Sequence, residues 1–507
     1  ETRHKNRTNQ TLYDYGGDSG MSTLQDLSKV LSRKQAILDE NTAGVEKQKK
    51  SGKQTARERI AMLLDGGSFV EQSMLANDTG VVAGSGTVDG RPVYVFAQDF
   101  AVMDGAMGAK QAKKIVKVLE LARKTGTPVV AMCDSNGARV GEGAAALEAY
   151  ADVFAHMARL SGVVPMVTMV LGPCVGAAAL MAQLSDVVIV SKPAGALLVA
   201  GPQVLSSEMK KDLKAEQLGG ADVAVEYGAA HFACETEADA FAKAKAVLAM
   251  LPANNLEDAP FSVEEDMNRR LEGFEAGCDG RKLIAAMVDA GSVLEFGKGY
   301  TDAVTALGKM AGRTTAFVYT GKGDTCDKRM KKIARFVRFA DCYNIPVVSL
   351  VDSTGLKLFD TIERQMSVMN AASTLVYAYS EATTVKVTLV IGNAIGSAYV
   401  AMGGSANADM TYAWPGSVIS PMTGEAAIQI MWKDKIMASK GDAVQAREEL
   451  AAQYEAEVAD GVNAAVEGLV DDVIDPADSR KMVIAALELL SSKRDSNPPK
   501  KHGNMPL

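Results

Sequence analysis

Two stretches of the chain repeat a pattern suited to holding negative charge on oxygen. Residues 167–182 read V-T-M-V-L-G-P-C-V-G-A-A-A-L-M-A, and residues 387–402 read V-T-L-V-I-G-N-A-I-G-S-A-Y-V-A-M. They align without a gap at an offset of 220 residues. In each, a β-branched apolar run predicts a strand, a glycine-containing turn follows, and a run of small residues predicts the start of a helix. Gly176 and Gly396 open the small-residue runs. A strand that delivers the chain to a helix N-terminus presents backbone N–H groups with no partner inside the helix. The helix dipole favours negative charge there, and small side chains let a ligand approach the backbone. The implied chemistry is stabilisation of an oxyanion by main-chain donors, twice in one protein. A buried strand packed on a helix would need the same small residues, and for one copy that plainer reading is as good. Two copies in register favour the chemical reading.

Other residues of chemical interest have strong plainer readings. D-S-N-G at 134–137 returns as D-S-T-G at 352–355, at an offset of 218. Each follows a predicted strand, at the carboxyl end where α/β folds meet ligands. Arg139 and Glu142, in G-A-R-V-G-E-G, suit an ion pair that shapes a loop better than they suit catalysis. His231, in G-A-A-H-F, is explained at least as well by a satisfied structural ring as by an approach to substrate. Lys113 and Lys114 suit a solvated helix face more than a phosphate site. Gly84, Gly86 and Gly90 miss the spacing of the dinucleotide fingerprint and read as turns. No G-x-x-x-x-G-K-[ST] loop occurs, and Tyr412 and Trp414 suit a core.

A large scaffold has to position these residues. At 507 residues the chain is too long for one hydrophobic core. Apolar residues make up 47% and charged residues 23%, the balance of an ordinary soluble globular protein. A net charge of −8 argues against a nucleic-acid backbone as partner. Cys133, Cys174, Cys234, Cys278, Cys326 and Cys342 form no C-x-x-C pair, so buried thiols in a reducing cytoplasm are expected. Residues 163–182 are apolar enough to span a bilayer, but Pro165, Gly172 and Pro173 interrupt them and the repeat divides them into strand and helix. Residues 1–20 are polar and read as a leader ahead of a start at Met21.

The duplication extends well beyond the two motifs. Residues 61–71 are echoed at 282–295, 86–91 at 308–313 and 113–115 at 331–333, with offsets between 218 and 224. Drift of a few residues places the insertions in loops. A helix is expected over 21–50, and another over 55–64 opened by a Thr55–Glu58 capping box. Strands at 93–96, 129–133 and 166–171 alternate with helices at 109–124 and 144–160, an α/β pattern with mostly parallel strands. Residues 253–280 read as a linker and 497–507 as a mobile tail.

These motifs together resemble a known family. T-A-R-E-R-I-A-M-L-L-D-G-G-S-F-V-E at 55–71, S-N-G-A-R-V-G-E-G at 135–143, G-P-C-V-G-A-A at 172–178 and E-Q-L-G-G-A at 216–221 resemble the first half of the biotin-dependent acyl-CoA carboxyltransferases. A-R-F-V-R-F-A-D-C-Y-N-I-P at 334–346 and Y-A-W-P at 412–415 are similar to the second half. That family includes the β subunits of propionyl-CoA and acetyl-CoA carboxylases and the carboxyltransferase subunit of methylmalonyl-CoA decarboxylase. The resemblance implies an α/β fold of two tandem crotonase-like (ClpP/crotonase) domains from an internal duplication. Residues 21–265 would form the acyl-CoA side and 266–507 the biotin side. It implies a homo-hexamer whose active site lies between the first half of one chain and the second half of another.

The implied activity is transfer of a carboxyl group between carboxybiotin and a short-chain acyl-CoA, either propionyl-CoA/methylmalonyl-CoA or acetyl-CoA/malonyl-CoA. Charge would form on the thioester oxygen of an enolate and on the ureido oxygen of biotin, so two oxyanion holes are what the reaction needs. By motif position the N–H groups of Gly176 and Ala177 would serve the thioester, and those of Ser397 and Ala398 the ureido oxygen. Gly137, Ala138, Arg139, Gly172, Gly396 and Val400 would line the bound groups. No metal is implied. The chain has neither a Met-Lys-Met biotinylation sequence nor an ATP signature, so biotin would arrive on a separate carrier chain or domain. Implied partners are a biotin carboxyl carrier protein with either a biotin carboxylase or membrane decarboxylase subunits. The protein would be cytoplasmic, attached to a membrane complex only through partners. Ala177 and Ser397 replace the second glycine of the family's usual pair, yet each keeps its N–H. Residues 319–324, 352–373 and 420–423, on the biotin side, depart further. Two alternatives stand beside this reading. One is a crotonase-type hydratase or isomerase, which would not explain the duplication. The other is a non-catalytic paralogue that depends on a partner.

Overall fold

The computed structural model of the chain describes residues 17–39, 41–76, 80–263, 265–438 and 443–506. The first half builds an eight-stranded sheet from β1 (Val70–Glu71), β2 (Val81–Val88), β3 (Arg91–Gln98), β4 (Val129–Ser135), β5 (Met166–Val175), β6 (Val187–Ser191), β7 (Ala196–Leu198) and β8 (Phe232–Cys234). The order is β1-β2-β3-β4-β5-β6-β8, with β7 beside β5. The first three strands are antiparallel and the rest parallel. Every residue of β4 is buried, as expected of a parallel strand covered on both faces.

The second half repeats this topology with β9 (Leu294–Phe296), β10 (Val304–Met310), β11 (Arg313–Tyr319), β13 (Val347–Ser353), β15 (Lys386–Ile395), β16 (Met410–Ala413) and β18 (Asp472–Val473). β17 (Val418–Ser420) lies beside β15 as β7 lies beside β5. β12 (Asp324–Thr325) and β14 (Gly355–Leu356) form a separate parallel pair.

Helices fill the crossovers. Ala109–Thr125 buries Ile115, Val118, Leu119 and Ala122 and stops at Gly126 in the left-handed conformation. Asp327–Cys342 is its counterpart, and Ala144–Leu160 is matched by Ile362–Glu381. One apolar cluster joins the halves, packing Val167, Ile189 and Leu248 with Phe296, Phe336 and Tyr343. Among the described residues no helix is long and apolar enough to cross a membrane.

Several sequence expectations are corrected. The helix over 21–50 is two helices, Gly17–Asp39 and Thr42–Lys50. Residues 1–16 of the expected leader lie outside the described residues. β5 runs straight through Gly172-Pro173, where a turn was expected, and ends at Val175. Its lower part pairs with β4 and β6, while residues 173–175 pair with β7. The β4 register shifts between Cys133 and Ser135, so Pro173 sits where the strand exchanges neighbours and a missing N–H is tolerated. Gly84 and Gly86 belong to β2 rather than to turns, and a Cβ at Gly84 would strike the Val70 carbonyl of β1. The tail lies along Ile362–Glu381: Asn497 Nδ2 donates to Glu381 O at 2.8 Å, and Lys500 pairs with the Glu381 carboxylate at 2.5 Å.

Candidate active site

β5 ends at Val175, and Gly176 then takes φ 60° and ψ −121°, a conformation only glycine adopts without strain. The chain enters the helix Ala177–Gln183 directly. Gly396, at φ 63°, makes the same turn between β15 and the helix Gly396–Ala401. The sequence therefore places both turns correctly but misjudges one donor. The Gly176 N–H donates to Leu198 O at 2.8 Å, extending the β5–β7 ladder, so it is engaged and unavailable to a ligand. Ala177, Ala178 and Ala179 hold the first-turn amides, which have no acceptor inside the helix. Ala177 is partly exposed and Ala178 is buried. In the second helix the corresponding amides are those of Gly396, Ser397 and Ala398, with Ser397 exposed and Ala398 buried. Val400, 59% exposed, follows on the same short helix.

The loop after β4 runs past the end of β5. Met107 N donates to Gly137 O at 2.9 Å, and Arg139 N donates to Met107 O at 2.9 Å. Backbone groups alternate along an extended segment, so the Ala138 N–H faces away from Met107. Gly137 lies against β5, close enough that a Cβ would stand 3.1 Å from Val175 O. Ala138 follows Gly137 directly, next to the strand end that leads into the Gly176 turn. The second half repeats the device. Lys357 N donates to Thr325 O at 2.9 Å, and β12–β14 pairing sets Leu356 opposite Thr325. Ser135 Oγ accepts the Gly137 N–H at 3.0 Å, and Ser353 Oγ accepts the Gly355 N–H at 3.4 Å. Leu356 was missed from sequence although it stands 218 residues after Ala138.

Asp134, near the end of β4, lies against Gly172 of β5, on the strand that leads into the first turn. Its carboxylate pairs with Lys53 at 2.7 Å and with Arg59 at 2.8 Å. Arg59 also binds Glu237 at 2.5 Å and donates to Leu171 O at 2.9 Å. Burial pushes the Lys53 pKa down against the pull of Asp134. A Cβ at Gly172 would overlap the Asp134 carboxylate, so this glycine makes room for it and is itself buried. Asp352 is the counterpart. Its Oδ1 accepts from Asn393 N at 2.9 Å and from Asn393 Nδ2 at 3.3 Å, while its buried Oδ2 has no hydrogen-bond partner.

The remaining candidates make contacts within the fold. Arg139 is buried, donates from Nε to Ala106 O at 3.0 Å and lies 3.7 Å from Glu142. Glu142 accepts the Ala109 N–H at 2.8 Å, capping the helix Ala109–Thr125. His231 does not reach the turn: its Nδ1 accepts from Val188 N at 3.0 Å and its ring packs edge-on to Phe296. Burial holds it neutral by lowering its pKa to about 3. Lys114 is buried with Nζ on Val81 O, and Trp414 is buried with Nε1 on Ser479 Oγ. Beside the first turn opens an apolar cleft of about 420 Å³, lined by Ala177, Leu180, Leu198 and Val199 among others.

Two strand–glycine–helix turns on duplicated α/β units define an enzyme chain of the crotonase-like class. Residues 47–505 match the family model described as the carboxyl transferase domain. The methylmalonyl-CoA carboxyltransferase 12S subunit of Propionibacterium freudenreichii subsp. shermanii is 38% identical over 492 residues, covering 91% of this chain and 93% of that protein. Methylmalonyl-CoA decarboxylase subunit alpha of Veillonella parvula is 37% identical over 519 residues, covering 96% and 100%. The crystal structure of transcarboxylase 12S, a hexamer with methylmalonyl-coenzyme A and methylmalonic acid bound, matches with a TM-score of 0.88 at 37% identity, over 95% of this chain and 98% of that one. The chain belongs to the biotin-dependent acyl-CoA carboxyltransferase family.

Proposed function

We propose that this chain is the transfer subunit that moves a carboxyl group between carboxybiotin, borne on a separate carrier, and a short-chain acyl-CoA of the propionyl-CoA/methylmalonyl-CoA kind. Residues 21–265 serve the acyl-CoA side and 266–507 the biotin side, in a hexamer that pairs the first half of one chain with the second half of another. The observation that carries the reading is the pair of open amide turns at Ala177 and Ser397, each beginning a helix at the end of a buried strand. Carboxybiotin supplies the carboxyl group and, once relieved of it, a base for the α-carbon proton. Ala177 and Ala138 donate N–H groups to the thioester oxygen, where charge grows as the α-carbon loses its proton. Ser397 and Leu356 donate to the oxygen on the biotin side, with Ala398 behind them. The apolar cleft at Leu180, Leu198 and Val199 takes the acyl arm and keeps water from the enolate. The names of the matched relatives, a methylmalonyl-CoA carboxyltransferase and a decarboxylase, support this substrate class. Incubation with methylmalonyl-CoA and free biotin should release CO₂ in a biotin-dependent reaction and leave propionyl-CoA. Absence of biotin-dependent decarboxylation of both methylmalonyl-CoA and malonyl-CoA would overturn the proposal.

A further inference from the structure

A cleft of about 170 Å³ lies at the seam between the halves and shares no residue with either turn. Phe296, Phe336 and Phe339 wall it, with neighbouring ring centroids 5.4–6.1 Å apart. Lys331, Lys332 and Arg335 of the second half face it, against a single carboxylate, Asp186 of the first half. That carboxylate is already held by the Met166 N–H and the Tyr343 hydroxyl, both at 2.8 Å. Arg335 makes no salt bridge among the described residues, and its Nη2 donates to Ser185 O at 3.1 Å. Lys332 donates to the carbonyls of Gly297 and Ala303 and has no carboxylate partner among the described residues. His231 accepts on Nδ1 from Val188 N, so its proton sits on Nε2, which has no acceptor among the described residues.

Lys331 and Arg335 are exposed and Lys332 is half-buried, so three cations against one lining carboxylate give this aromatic-walled cleft a positive potential that favours an anion. A free inorganic anion would leave the rings unfilled, and a neutral apolar molecule would leave the cations unanswered. We propose that this cleft binds a small monocarboxylate with a flat apolar body, its carboxylate on Arg335 and the His231 Nε2–H, its body against Phe296, Phe336 and Phe339. The ligand would touch both halves at once, and binding to the folded chain alone would stabilise it by mass action. Nothing in this inference depends on the carboxyl-transfer reading.

4-Fluorobenzoate is a suitable probe, followed by fluorine NMR and by thermal unfolding of the whole protein. Saturable binding that raises the melting temperature is expected, with 4-fluorobenzamide inert at the same concentration. Arg335→Gln should weaken binding about tenfold or more, the scale of one charge-assisted hydrogen bond. Lys331→Ala, at an exposed lysine whose loss cannot unfold the chain, should weaken it by a smaller factor. Propionyl-CoA should not displace the probe. The proposal fails if no saturable binding occurs up to about 10 mM, where even millimolar affinity would show. It fails equally if the amide binds as well as the acid, if both variants bind normally, or if propionyl-CoA competes.

Discussion

Replacing Ala177 by proline removes a backbone donor and almost nothing else. Ala177 is the first residue of its helix, the position where proline is most readily accepted because the missing N–H has no helical partner. Proline also restricts the residue before it, chiefly by disfavouring the right-handed helical region. Gly176, at φ 60° and ψ −121°, lies outside that region. The fold should therefore survive with a stability change of no more than about 1 kcal/mol. Loss of one donor from an oxyanion site costs about 3–4 kcal/mol in the transition state, or roughly 10²–10³ in kcat. The ground-state thioester oxygen carries little charge, so KM for the acyl-CoA should move by no more than about threefold. Biotin-dependent decarboxylation of methylmalonyl-CoA gives both constants, and circular dichroism with thermal unfolding reports the fold. A folded A177P protein whose kcat stays within about threefold of the parent would refute the role given to this amide.

The two buried aspartates should respond very unequally to the same substitution. Asp134→Asn breaks a buried pair with Arg59 and should cost about 3–5 kcal/mol in urea unfolding. Asp352→Asn keeps an acceptor for Asn393 N and exchanges a buried carboxylate oxygen, unpartnered among the described residues, for an equally unpartnered amide group, so it should stay within about 1 kcal/mol of the parent. Two groups at the seam give opposing pH dependences. Asp186 has its pKa raised to about 6 by burial, so between about pH 4 and 6 the native state holds a proton that the unfolded chain has lost, and stability falls as pH rises. His231 has its pKa lowered to about 3, so the unfolded chain binds a proton that the native state refuses, and stability rises with pH up to about 6.5. In the shared window the two nearly cancel. Asp186→Asn should expose the rising slope and His231→Gln the falling one, both read from urea midpoints at several pH values; two flat profiles would contradict the assignment. Truncation after Asp495 removes an exposed Lys500–Glu381 pair and should change stability by less than about 1 kcal/mol, measured by thermal unfolding.

Much of the fold was legible because local rules and global packing agree. The Thr55–Glu58 capping box opens the helix Ala56–Leu63, and the helix expected over 144–160 is the one observed. Where reading failed, a neighbour distant in sequence decided the outcome. Gly-Pro is a turn signal in isolation, yet Gly172-Pro173 stays extended because β7 takes up the pairing just where β4 shifts register. The three residues of β7 are too short to announce themselves, and they are also what engages the Gly176 amide. Ala138 lies inside a motif and Leu356 beyond any, and neither reads as a donor from its side chain, since a main-chain donor is defined by which edge of its strand is already occupied.

The duplication also shows how one task can be met by two chemistries. The strand leading into each turn lies against a buried aspartate, and an amide donor is useful to a transition state only if its turn is stiff. In the first half Pro173 offers no N–H, so Asp134 is held by the cations Lys53 and Arg59. In the second half Asn393 stands in place of Pro173 and supplies two neutral donors. Aligning 56–71 with 280–295 puts Leu283 where Arg59 stands and Gly277 where Lys53 stands, so the cations disappear from the very half that gained the amides. The exchange is coherent, because keeping Arg59's counterpart without its full set of carboxylates would bury an unpaired charge. The first turn is thus tied by a charge network that reaches Glu237, just before the helix Glu237–Met250, and so depends on the packing of its whole half. The second is tied by its own neighbour in sequence. A substitution far from the site can loosen the first turn through Glu237 or Arg59, whereas the second is exposed to such effects mainly through Asp352 itself.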